Sequence, residues 1–140
     1  MRPDTEFPPL KPFWEAARRE ELRLPRCRAC ERFNWYPEPE CIHCGGADFE
    51  WVRLSGKGSL FSWAVVRRAL HPEFAALQPY VSGIVTIAED ERVRMVTRLL
   101  VNADQPLEIG QPVRAQFVDL GHPVAEAGVI GVLWSLEMDA

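Results

Sequence analysis

The sequence predicts a mainly β chain made of a short N-terminal helix, a small metal-stapled ribbon and a C-terminal five-stranded barrel of the OB type, with a small sandwich as the alternative to the barrel. Three observations predict it. The chain's only four cysteines stand as two Cys-x-x-Cys pairs, Cys27/Cys30 and Cys41/Cys44, with ten residues between them. From residue 47 onward apolar residues recur with the period of two that strands require. Turn signals such as Ser55-Gly56-Lys57-Gly58 and Gly110-Gln111-Pro112 cut that pattern into short segments.

Residues 1–12 carry four of the twelve prolines, at Pro3, Pro8, Pro9 and Pro12, and read as an extended leader. Pro12 suits the first turn of a helix over residues 13–22, whose Phe13, Trp14 and Ala17 fall on one side. A helix that short is not stable alone, so it must dock. Two readings stand for Phe13 and Trp14: a contact within the chain, or a partner interface shared with the ribbon aromatics Trp35 and Tyr36.

The ribbon is expected as a short strand over residues 23–26, the first knuckle, a returning strand over residues 33–37 and the second knuckle. Two knuckles close a tetrahedral cage of four thiolates around one zinc ion, with metal–sulfur distances of about 2.3 Å. A disulfide framework would need an oxidising compartment, and Met1 to Glu6 contain no apolar segment of the secretory kind. A redox Cys-x-x-Cys would leave the second pair unexplained. Iron also suits four thiolates. Gly45 and Gly46 give the second knuckle a tight turn with amides free to face sulfur, whereas the first has Glu31 at the matching place. His43 is read as solvent-facing, since the four thiolates complete the site.

Barrel strands are expected over residues 59–67, 80–88, 92–101, 113–120 and 129–137, preceded by an aromatic run with Phe49, Trp51 and Leu54. The third is the most regular, with Val93, Met95, Leu99 and Val101 on one face and Arg92, Arg94 and Arg98 on the other. Residues 68–79 form a long, apolar connection that either packs as a helical turn on the barrel end or lines a cleft.

The chain has 140 residues, 47% of them hydrophobic and 26% charged, a soluble-protein composition, and no apolar run reaches the roughly 18 residues of a membrane span. A cytoplasmic location is expected. Sixteen basic against twenty acidic residues leave a net charge of −4, which argues against phosphate-driven nucleic-acid binding. With the cysteines committed to metal, His71 and His122 lack a nucleophile or paired acid beside them, and no phosphate-loop, dinucleotide or zincin motif is present. The chain therefore reads as a binding subunit with no catalytic residues of its own. Its candidate binding surface is Arg67, Arg68, Phe74, Tyr80 and Arg98: arginine forks suit phosphate and an aromatic ring stacks on a flat heterocycle such as adenine. The alternative for the arginines is a solvated strand face.

Phe13-Trp14-Glu15, the two Cys-x-x-Cys pairs, Phe49 to Trp51, Ser55 to Gly58, Pro79-Tyr80-Val81 and Gly110 to Phe117 come in an order that resembles the zinc-ribbon OB-fold proteins encoded beside thiolases. Glu31, where that family usually has glycine, is the one clear departure. The resemblance implies a leader and helix over residues 1–22, a rubredoxin-like zinc ribbon over 23–54 and an OB-fold domain over 55–140. It also implies an accessory subunit of a thiolase-like or lipid-transfer-type thiolase/aldolase partner, helping to bind or channel acyl-CoA esters in steroid side-chain, aromatic or mevalonate metabolism. The competing reading is a single-stranded nucleic-acid-binding module, a role that OB barrels and zinc ribbons both serve elsewhere.

Overall fold

The computed structural model describes residues 3–137; Met1 and Arg2 of the expected leader and residues 138–140 of the expected barrel segment lie outside it. Helix α1, Lys11–Arg18, starts with proline in its first turn and buries Phe13, Ala16 and Ala17. It ends four residues earlier than the periodicity predicts. The Glu21 N–H bonds Ala16 O at 3.0 Å, the Glu20 N–H bonds Ala17 O at 3.0 Å, and Glu20 is left-handed with φ 59°. That paired closure normally uses glycine, so no residue here marks the stop in advance. It turns Leu22 and Leu24 inward, to 2% and 0% exposure.

Strands β1, Arg23–Cys27, and β2, Phe49–Arg53, pair antiparallel and form the ribbon's sheet. The strand expected over residues 33–37 is not present. Only Phe33 bridges, to Arg26, after which the Asn34 side chain turns inward and Pro37 and Pro39 preclude a regular ladder.

The barrel is closed in the order β3-β4-β5-β7-β6, from β3 Lys57–Val66, β4 Tyr80–Ile87, β5 Asp90–Leu99, β6 Pro112–Asp119 and β7 Ile130–Leu136. The closing contact between β5 and β7 is a single parallel pair, Leu99 with Trp134. Trp134 is fully buried at the centre of the core, among Leu60, Val81, Val85, Met95 and Val113. Gly58 passes so close to Trp134 and to the Thr86 carbonyl that a Cβ has no room, which is why the Ser-Gly-x-Gly turn needs its second glycine. On β5 Val93, Met95, Thr97 and Leu99 face the core while Arg92, Arg94 and Val96 face out, the alternation expected. The long connection holds a 3₁₀ helix, Pro72–Leu77. Among the described residues no helix is long and apolar enough to cross a membrane.

Candidate metal centre and aromatic cavity

Each knuckle is a tight backbone loop around its first cysteine. The Cys27 N–H bonds Arg32 O at 2.9 Å and the Cys41 N–H bonds Gly46 O at 2.6 Å. The four Sγ atoms lie within 4.8 Å of one another, with Cys27 and Cys44 at 3.6 Å and Cys30 and Cys41 at 3.7 Å. A disulfide holds its sulfurs at about 2.05 Å, whereas a tetrahedron of thiolates about 2.3 Å from zinc has edges of roughly 3.8 Å. The sulfurs are thus spaced for a metal. Gly46 backs directly on the cage: a Cβ there would sit 3.3 Å from the Cys27 sulfur and 3.4 Å from that of Cys44.

Hydrogen bonds tune the sulfurs. Burial pushes the Cys41 thiol up, but donation from Asn34 Nδ2 and from the His43 and Cys44 N–H groups outweighs it and brings the thiol down to about 6. Cys44 is drawn down by the Gly46 N–H, yet the neighbouring thiols and burial prevail and push it up to about 11. A thiolate is favoured at Cys41 and opposed at Cys44. A bound dication removes that opposition, because thiolate ligands give up their protons on binding.

Asn34 escaped sequence reasoning. It is fully buried, its Nδ2 bonds Arg32 O at 3.3 Å and Cys41 Sγ at 3.4 Å, and its Oδ1 accepts from the Ile42 N–H at 2.8 Å. One side chain thereby ties the two knuckles together. The only signal was a polar residue inside the run Phe33 to Tyr36. His43 is exposed, with Nε2 3.2 Å from Phe33 O, and is no ligand.

A cavity of about 450 Å³ lies between α1, the ribbon and the barrel. It joins two sets of residues that the sequence kept apart. Phe13, Trp14, Trp35 and Tyr36, expected at a partner interface, line it together with Phe74, Tyr80 and Arg98, expected to hold acyl-CoA. Phe13 is in fact 8% exposed and packs on Trp35 at 5.1 Å between ring centroids, so the chain itself already covers it. Of the four, Tyr36 is the most open, and the Val96 N–H donates to its hydroxyl at 3.4 Å. The long connection's 3₁₀ helix buries none of its residues but contributes Phe74 and Leu77 to the cavity wall, as the cleft reading expects.

The arginines divide. Arg98 lines the cavity, whereas Arg67 and Arg68 lie in the exposed bend after β3 and do not reach it. Arg92 is tied to Asp90 at 3.0 Å, and the Arg94 guanidinium lies 4.1 Å over the Phe61 ring, so these two are occupied locally. His71 caps the 3₁₀ helix, its Nδ1 accepting from the Glu73 N–H at 3.1 Å.

Fold and centre together define a zinc-ribbon protein, in which a rubredoxin-like ribbon with four metal-ready cysteines is joined to an OB barrel. Family models place it further. The ChsH2 rubredoxin-like zinc ribbon domain matches residues 14–50 and the ChsH2 C-terminal OB-fold domain matches residues 51–118. The chain belongs to that ChsH2 zinc-ribbon OB-fold family. A probable enoyl-CoA hydratase alpha subunit from Thermomonospora curvata is 39% identical over 102 residues, which cover 72% of this chain and 31% of the relative. The 3-oxo-4,17-pregnadiene-20-carboxyl-CoA hydratase alpha subunit of Mycobacterium tuberculosis is 31% identical over 123 residues, covering 85% and 36%. The chain thus spans about a third of the length of these curated relatives. Among solved structures, a chain of the Ltp2–ChsH2(DUF35) aldolase superposes with a TM-score of 0.78 at 28% identity, over 96% of this chain and 98% of that one.

Proposed function

We propose that this chain is a non-catalytic accessory subunit of an acyl-CoA enzyme, bound to a thiolase-like or lipid-transfer-type thiolase/aldolase partner and helping to bind or channel its acyl-CoA substrate. The observation that carries the reading is the near end-to-end match to a chain of the Ltp2–ChsH2(DUF35) aldolase. Support also comes from the hydratase alpha subunits, whose names point to multisubunit acyl-CoA chemistry; their hydratase activity has about two thirds of another sequence in which to reside. Zinc is the ion we assign to the cage, in a closed structural role, because four sulfurs at tetrahedral spacing leave no position for substrate. The net charge of −4 favours this reading over a nucleic-acid module, which would need a basic surface.

Co-expression with a thiolase-fold protein encoded beside this chain tests the proposal. The two are expected to purify as one hetero-oligomer whose acyl-CoA turnover falls when this chain is omitted. A partner equally stable and active alone would overturn it.

A further inference from the structure

The four cage sulfurs are not equally guarded. Cys27 and Cys41 are buried, Cys30 is half-buried and Cys44 is exposed. The turn beside Cys44 is open too: a Cβ built on Gly45 would meet nothing within 4 Å, and Ile42 and His43 are themselves exposed. Cys41 accepts from Asn34 Nδ2 and from the His43 N–H, both at 3.4 Å. Donors that stabilise a thiolate also blunt it as a nucleophile. Once a metal has displaced the protons all four sulfurs are thiolates, and access decides which one a reagent reaches. That sulfur is Cys44.

A second sulfur stands beside it. Cys27 Sγ lies 3.6 Å from Cys44 Sγ, and both pack against the bare backbone of Gly46. We infer that Cys44 is a modification site for oxidants of the peroxide class, and that Cys27 resolves it to a Cys27–Cys44 disulfide joining the two knuckles. Cys44 Sγ attacks one peroxide oxygen, the O–O bond breaks, and the sulfur becomes a sulfenic acid while the other oxygen leaves as hydroxide. Cys27 Sγ then attacks the Cys44 sulfur, the S–OH bond breaks and a second hydroxide leaves. Both hydroxides take up a proton to become water, so two electrons pass from the sulfur pair to the peroxide. A disulfide holds its sulfurs at about 2.05 Å. Closing from 3.6 Å takes two ligands out of the tetrahedron, and Cys30 and Cys41 alone do not make a structural zinc site. The segment between the knuckles, which brings Trp35 and Tyr36 to the cavity wall, thereby loses its anchor. Resting on the zinc assignment above, this makes the cage a staple that an oxidant opens.

The test uses the full, zinc-loaded chain without partner or acyl-CoA, its zinc first counted by elemental analysis. Limited treatment with iodoacetamide, read by peptide mass spectrometry, is expected to label Cys44 about tenfold ahead of Cys27 and Cys41. Hydrogen peroxide is expected to release the zinc to a colorimetric chelator and to form Cys27–Cys44 as the first disulfide, reversed by a thiol reductant with added zinc. Equal labelling of the four cysteines, a first disulfide within one knuckle, or zinc retained after peroxide with all four thiols reduced would overturn the inference. Cys44→His keeps a metal ligand, in a site of three cysteines and one histidine, and removes the reactive sulfur. Loaded with zinc, that variant is expected to release it about tenfold more slowly under peroxide. An unchanged rate there would overturn the role of Cys44, and if the variant does not load, labelling and disulfide mapping of the unaltered chain decide. A chain without zinc that still joins Cys27 to Cys44 refutes the metal assignment alone.

Discussion

In the first knuckle the Glu31 N–H meets Cys27 O at 2.8 Å, and in the second the Gly45 N–H meets Cys41 O at 2.9 Å. Both residues are left-handed, with φ 63° and 81°. The backbone is therefore the same loop twice, and the side chain at the turn is what differs. Glycine adopts this conformation freely, while a residue with a Cβ does so at a cost of about 1–2 kcal/mol. The second knuckle adds its own support, because His43 N–H and Asn34 both donate to Cys41 Sγ. The two-cysteine loop thus keeps one backbone shape, and Glu31 takes the left-handed conformation where no glycine is supplied.

The largest effect should come from removing what both knuckles share. Chelation, or Cys41→Ser, is expected to abolish ribbon structure, since structural zinc contributes about 10–16 kcal/mol in comparable peptides. Elemental analysis should find one zinc per chain before treatment, and hydrogen exchange should show knuckle amides losing protection after it. A metal-free chain with intact protection would break the equivalence of cage and fold.

Asn34→Ala breaks the tie between knuckles. It leaves the Ile42 N–H without its partner and removes a donor from Cys41, and a loss of about 1–3 kcal/mol in denaturant unfolding of the zinc-loaded chain is expected. Gly46→Ala presses a methyl group on two ligand sulfurs, and competition with a chelator should show metal affinity lower by about tenfold.

The sharpest test of the comparison is reciprocal. Gly45→Ala meets open space, so backbone strain alone should destabilise by about 1 kcal/mol, and Glu31→Gly should stabilise by up to about 1 kcal/mol. Equal signs for the two in thermal melts would show that the loops are not equivalent.

The smallest effects concern pH. The Arg23 side chain bonds Glu21 and the Arg92 side chain bonds Asp90, and each holds its carboxyl below the ordinary value, 4.5 and 3.8 respectively. The folded state thus binds fewer protons than the unfolded one. Stability from these pairs is complete above the ordinary values and is lost as pH falls through them toward the lowered ones. Solvent at the partly exposed arginines keeps each contribution small. Acid unfolding of Asp90→Asn should begin from a slightly less stable baseline at neutral pH and fall less steeply below pH 4.

Cysteine spacing, alternation and turn residues were enough to read the ribbon, the barrel strands and the four metal ligands, because each is local: a knuckle is built from a few neighbouring residues, and a strand from its own period. Local pattern failed at Glu20, where a non-glycine residue ended the helix, and at residues 33–37, where Asn34 gave up strand pairing to serve the cage. It was also silent on the role of Asn34, since a buried asparagine is recognised only by the atoms it faces.

What the chemistry of the chain determined by itself is therefore the four-cysteine centre and the strands of the barrel. What only the tertiary structure decided is the cavity. Trp14 on the helix, Trp35 on the ribbon and Trp134 on β7 lie far apart in sequence and come together because the helix docks across β1 and β7. No period or spacing encodes that meeting, since it depends on long-range packing, and packing alone places the three indoles around one space.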